Sequence, residues 1–165
     1  FPARGFDGVY HARFDVPEDD TWPWDRRLFY FPPLAADANG AMTLQIEPLR
    51  EGLRTFERLE QDILARGGKS FEDTFVRMRY QQESWYRPTP AFSEDRLRPV
   101  PKRNLEYLRC LTRATRTVVS ALEKSGSAAV GPGSRQFRLL TQAFERCEDA
   151  QFPPPTASTG GRGLR

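Results

Sequence analysis

The chain has 165 residues, 25 basic and 22 acidic side chains, a formal charge of +3 and a mean hydropathy of −0.66. No apolar run approaches the ~18–20 residues of a transmembrane helix. The apolar fraction, 38%, lies below the ~45–50% of an average globular domain. The composition therefore predicts a mainly α, loosely packed chain of about four helices, with extended N- and C-terminal arms and one minor short strand.

Residues 1–40 read as an acidic, aromatic extended arm. Pro2, Pro17, Pro23, Pro32 and Pro33 forbid a long helix, while Phe6, Tyr10, Phe14, Trp22, Trp24 and Tyr30 are more aromatics than a disordered tail carries. Asn39-Gly40 signals a turn, and Met42, Leu44 and Ile46 alternate as a strand does. A first helix starts at Pro48, with Leu49, Leu53, Phe56, Leu59 and Ile63 on one stripe and Gly67-Gly68 as its stop. A second starts at Ser70, with Asp73 as an acidic capping-box residue. Phe71, Phe75, Met78 and Trp85 are its expected buried side, and it ends before Pro88.

Residues 87–103 hold four prolines and five basic side chains, and read as an extended basic linker. The third helix runs from about Asn104 to Lys124 on the stripe Leu105, Leu108, Leu111, Thr115, Val118 and Leu122, beside Arg109, Arg113 and Arg116. Residues 125–134 read as a Gly/Ser linker. A fourth helix from Ser134 presents Phe137, Leu140, Phe144 and Cys147, and a low-complexity tail follows from 151. The organisation expected is an arm (1–40), a strand–helix–helix unit with its basic linker (41–103), a helical extension (104–150) and a flexible tail (151–165).

Charge is uneven along this order. Residues 77–118 hold ten basic and four acidic side chains, whereas residues 1–40 hold four and seven. Of all the basic residues, only Lys69, Lys102 and Lys124 are lysine. Arginine's planar fork suits phosphate, and a basic block on a soluble chain is the footprint of a nucleic-acid binder.

Catalytic readings fail on the same sequence. His11 is the single histidine, without the nearby nucleophile that a Ser–His or Cys–His pair needs. Glu18, Asp19 and Asp20 are consecutive and cannot flank a substrate as an acid/base pair. No phosphate-loop or dinucleotide motif occurs. His11, Cys110 and Cys147 are too few and too scattered for zinc, so no metal and no cofactor is expected. The two cysteines read as small core residues rather than as a secreted disulfide framework. Between the arginines, Trp85 reads as core, while Tyr86 is open to either core or base stacking.

The stretch from Leu44 to Arg103 resembles the bacterial-type family of ribosomal small-subunit protein twenty-one in its mitochondrial form. Leu44 and Ile46 match the strand, Leu53-Arg54-Thr55-Phe56-Glu57-Arg58 the helix motif, Gly67-Gly68 the break, and Arg77 and Arg79 the arginine cluster. Trp85-Tyr86-Arg87-Pro88-Thr89 matches the aromatic–Pro-Thr element, and Arg96, Arg98, Lys102 and Arg103 the basic tail. The span from Phe56 to Tyr86 is longer than the family's, and the first helix is acidic where the family's is basic.

The resemblance implies a non-enzymatic, structural component of the mitochondrial ribosome, located in the matrix. Its partners would be small-subunit rRNA and neighbouring ribosomal proteins, with no membrane span and no small-molecule substrate. It implies Arg54, Arg58, Arg77, Arg79, Arg87, Arg96, Arg98, Lys102 and Arg103 as the rRNA contacts, mostly to phosphate. A start at Phe1 agrees with processing after import or with an upstream segment outside this sequence. The other reading that the arms and the small net charge support is an accessory subunit of a mitochondrial respiratory or ATP synthase complex, acting through protein contacts.

Overall fold

The structure, a computed structural model, describes Trp24 and residues 34–151. The expectations for the rest of the N-terminal arm, His11 and the tail beyond 151 lie outside the described residues. The order is β1 (Leu34–Ala36), β2 (Met42–Gln45), α1 (Ile46–Arg66), α2 (Thr74–Gln81), a 3-10 turn (Glu94–Arg96), α3 (Pro99–Ser125), β3 (Ala129–Val130) and α4 (Arg135–Gln151). The chain is mainly helical, as its periodicity predicts.

Asp37 and Gly40 make the β1–β2 turn. The Asp37 carboxylate accepts the N–H groups of Asn39 and Ala41 at 2.8 and 2.9 Å, and Gly40 takes a φ of +79° that glycine adopts without a Cβ penalty. β2 is the central strand, antiparallel to β1 on one side and to β3 on the other. Residues 125–134 are therefore not a free linker. Gly126 ends α3 in the left-handed region, Ala129 and Val130 pair with Gln45 and Leu44, and the Ala128 carbonyl accepts the Ile46 N–H at 2.9 Å. Pairing of backbone groups that would otherwise be buried unsatisfied overrides the flexible composition.

The first helix starts two residues before the expected Pro48. Proline at its third position removes an N–H that has no partner inside the helix. The same reason moves the start of α3 to Pro99, five residues before Asn104. Pro99 and Pro101 both fall where the helix needs no donor, and the Lys102 N–H makes the first return, to the Arg98 carbonyl. The extended basic linker is thus shorter than the sequence suggests, and its last residues are helical. The boundary expected near 103/104 falls inside α3.

One apolar core joins α1, α3, α4 and β2. Leu44, Leu49, Phe56, Ile63, Leu108, Leu111, Leu122 and Leu140 are fully buried in it, each side chain contributing about 1.5–3 kcal/mol of transfer free energy. The stripes expected for the first, third and fourth helices all face it. Cys110 and Cys147 are joined in a disulfide, with Cα atoms 5.7 Å apart, and so are not separate core thiols as expected. The stripes of α3 and α4 bring these two positions onto facing sides of one helix pair. Sequence periodicity places each cysteine on its own helix but does not give that crossing.

Candidate nucleic-acid interface

α2 stands on the C-terminal end of α1 through polar chemistry. Asp73 caps it by accepting the Val76 N–H at 2.9 Å, so the helix starts at Thr74 rather than Ser70. Its buried residue is Tyr80, whose hydroxyl donates to the Asp62 carboxylate. Phe75 and Met78, the expected buried side, are 83% and 52% exposed. Helix 2 ends at Gln81, so Trp85 lies beyond it and does not continue its stripe; the face toward α1 is the one that carries Tyr80 and Val76.

Tyr80, Tyr86 and Ala65 form a small second core, with Trp85, Phe71 and Val76 packed around it. Tyr86, open at the sequence level, is buried and donates to the Lys69 carbonyl at 2.8 Å. Trp85 is half-buried, with the Arg66 guanidinium 4.1 Å from its ring centroid. Arg66, Arg58 and Arg79 all act on Asp62. Desolvation pushes that carboxyl above its ordinary range, and the Tyr80 hydrogen bond with the three guanidiniums pulls in the opposite sense without cancelling it. Burial raises the Tyr80 hydroxyl far above its ordinary value, with the Asp62 charge adding to the effect.

The chain returns from Tyr86 along the Gly67–Gly68 break. Gly68 has a φ of +94°, and its carbonyl accepts the Thr89 N–H at 2.8 Å. This return closes a groove of about 260 Å³ lined by Trp24, Arg66, Gly67, Thr89, Ala91, Phe92, Ser93, Arg96, Leu97 and Arg98. Among the described residues the lining carries three guanidiniums and no carboxylate. Arg98 lies 5.1 Å from the Trp24 ring centroid. The Thr89 and Ser93 hydroxyls accept the N–H groups of Ala91 and Asp95, which leaves each hydroxyl proton available as a donor.

A clasp beneath the groove fixes the 3-10 turn. Arg109 donates through both terminal nitrogens to Glu94, at 2.7 and 2.8 Å, and through Nε to Glu60 at 2.8 Å. One guanidinium on α3 therefore ties α1 to the return segment. The Arg109 hydrogen bonds hold the Glu94 carboxyl below its ordinary range.

The nine sequence-expected contacts divide by position. Arg96 and Arg98 line the groove, and Arg58 and Arg79 cluster around Asp62 with Arg66 between the two sets. Arg79 also donates to Gln61 at 3.2 Å. Arg77 acts on the Tyr86 hydroxyl from an exposed position, and Arg87 donates to its neighbour's carbonyl at 2.9 Å. Lys102 is paired with Asp95 at 3.1 Å. Arg54 is paired with Glu51 at 3.0 Å, toward the other end of α1, and Arg103 is exposed outside the groove. Sequence reasoning does not single out Arg66, although it closes α1 just before the glycines and sits four residues after Asp62, which itself follows Arg58 by four. Trp24 carries no signal beyond its place in an aromatic arm.

Among the described residues no group of three or more His, Cys, Asp or Glu could hold a metal ion, and no helix is long and apolar enough to cross a membrane. The arrangement is suited to binding an anion with an apolar, ring-shaped part. No family model, curated protein or solved structure matches the chain.

Proposed function

We propose that the protein is a structural, non-catalytic subunit of a mitochondrial small ribosomal subunit, lying in the matrix on rRNA and on neighbouring ribosomal proteins. One observation carries this reading: Arg66, Arg96 and Arg98 converge on one groove whose lining, among the described residues, includes no carboxylate. Arg58 and Arg79 extend the same cationic face through Arg66. Phosphate contacts of this kind position a protein on RNA without reading its sequence, and their affinity falls steeply with salt.

The test is the triple charge reversal Arg77→Glu, Arg79→Glu, Arg98→Glu. Incorporation into the small subunit is lost while far-ultraviolet circular dichroism is retained. Unchanged incorporation overturns rRNA contact at these residues, and absence of rRNA from the material that co-sediments with the native chain overturns the ribosomal reading.

The Cys110–Cys147 disulfide favours a second reading. Disulfides persist in oxidising compartments, which suits an accessory subunit of a respiratory or ATP synthase complex on the oxidising side of the inner membrane. Co-sedimentation with inner-membrane complexes after nuclease treatment separates this reading from the first.

A further inference from the structure

A groove that bound phosphate alone would have no use for an aromatic wall. This one has Trp24 and Phe92, both half-buried, together with the buried Leu97, facing the guanidiniums. In a duplex the base faces are hidden in the stack, and an aromatic side chain meets them only where a nucleotide is unpaired. The volume, about 260 Å³, falls just under the ~300–1,000 Å³ of ordinary small-molecule clefts. That is room for one nucleotide and not for a helix.

The chemistry around the rim is matched to the same object. Arg96, one terminal nitrogen of which donates to the Ala91 carbonyl at 3.5 Å, and Arg98 bring two guanidiniums to the rim, the group best matched to a phosphate. The Thr89 and Ser93 hydroxyls, already accepting from the backbone, have protons to give to ribose or phosphate oxygens. The Arg98 guanidinium over Trp24 adds a cation–π partner to the ring on which a base would stack.

We infer that this groove seats one unpaired nucleotide of a single-stranded RNA segment, with its base against Trp24 and Phe92 and its phosphate on Arg96 and Arg98. The inference rests on the nucleic-acid reading of the same face and narrows it from polyanion in general to unpaired RNA. The glycine break shapes the seat: a Cβ at Gly67 would lie 2.6 Å from a Leu97 methyl carbon and 3.1 Å from the Phe92 ring, so the wall packs directly on bare backbone.

The test uses the full chain and two fluorescein-labelled RNAs of equal length, a single-stranded oligoadenylate and a perfect duplex, read by anisotropy over a salt series. Trp24→Leu keeps apolar bulk but removes the ring, and Trp24→Phe keeps a ring. The single strand is expected to bind more tightly than the duplex. Trp24→Leu is expected to weaken the single strand by roughly fivefold to a hundredfold, the range of one lost base stack, and to leave the duplex within about twofold. Trp24→Phe restores most of the loss, and Arg96→Ala weakens both RNAs. Salt-sensitive binding of both RNAs with no effect of Trp24→Leu overturns the base seat and leaves phosphate contact standing. No binding of either RNA at low salt, or equal binding of polyglutamate, overturns the nucleic-acid reading itself.

Discussion

Tyr80 donates its hydroxyl proton to Asp62, eighteen residues earlier in the chain, and the bond joins α2 to α1 beside the small core of Ala65, Tyr80 and Tyr86. Because Asp62 is desolvated and its carboxyl is raised, its charged form is disfavoured by folding. That cost applies above the folded-state pKa and is relieved as pH falls through it. Asp62→Asn keeps an acceptor and removes the charge, so at pH 7 it is expected to be neutral or stabilising. Tyr80→Phe leaves a buried carboxylate without its donor, at a cost of about 1–3 kcal/mol. Urea unfolding of the two variants checks this pair of signs; equal losses would contradict it.

The Arg109–Glu94 clasp gives a pH dependence of opposite sign. Glu94 is held below its ordinary value by Arg109, so its contribution is full above the unfolded pKa and disappears as pH falls through the lower, folded one. Both side chains are over a third exposed, and solvent screening limits the pair to roughly 0.5–1 kcal/mol. Glu94→Gln is expected to lower the urea midpoint at pH 7 and to converge on the parent chain as pH falls through the folded-state pKa of Glu94. A constant gap across that range would show that packing, not charge, is what the substitution removes.

The disulfide closes a loop between positions 37 apart in sequence, on α3 and α4. Cross-linking a loop of that length restricts the unfolded chain by roughly 2–4 kcal/mol. Thermal unfolding with and without reductant, alongside Cys147→Ser, measures this. The reduced chain and the variant are expected to melt at the same lower temperature, and no shift on reduction would mean that the thiols were already free.

Gly68→Ala is expected to damage the groove more than its size suggests. The residue has a φ of +94°, and an added Cβ would meet the Thr89 methyl carbon at 2.9 Å and the Arg87 carbonyl at 3.2 Å. Backbone strain of ~1–2 kcal/mol adds to that crowding. The expected signature is faster amide hydrogen exchange at Thr89, whose N–H bonds to Gly68, with exchange at Leu108 and Leu111 unchanged.

The long stripes were legible because burial on α1, α3 and α4 repeats with the helical period, and Leu105, Leu108, Leu111, Val118 and Leu122 all face the core. α2 is not legible in this way because it has eight residues and buries one of them, Tyr80, against Asp62, Ala65 and Tyr86, and periodicity carries no record of such contacts. Phe75 and Met78 look like core by type and spacing, yet they are exposed, because the side of α2 that meets α1 is the one carrying Val76 and Tyr80. The arginine cluster was legible as composition. Its division into groove-lining and paired members was not, since Glu51 with Arg54 and Asp95 with Lys102 depend on local geometry. Arg109, one of three arginines on a helix face, is structural for the same reason: its partners Glu60 and Glu94 lie on other elements.

The sheet has a consequence for the timing of synthesis. Leu44 on β2 pairs with Val130 on β3, eighty-six positions later. At ~5–20 residues per second, translation leaves roughly 4–17 s between the appearance of the two. During that interval the central strand has one unsatisfied edge, and the N–H of Ile46 lacks the Ala128 carbonyl that receives it in the finished molecule. A nascent chain of this protein is therefore open to edge-on association until β3 has emerged, and early engagement by a chaperone would act on that window.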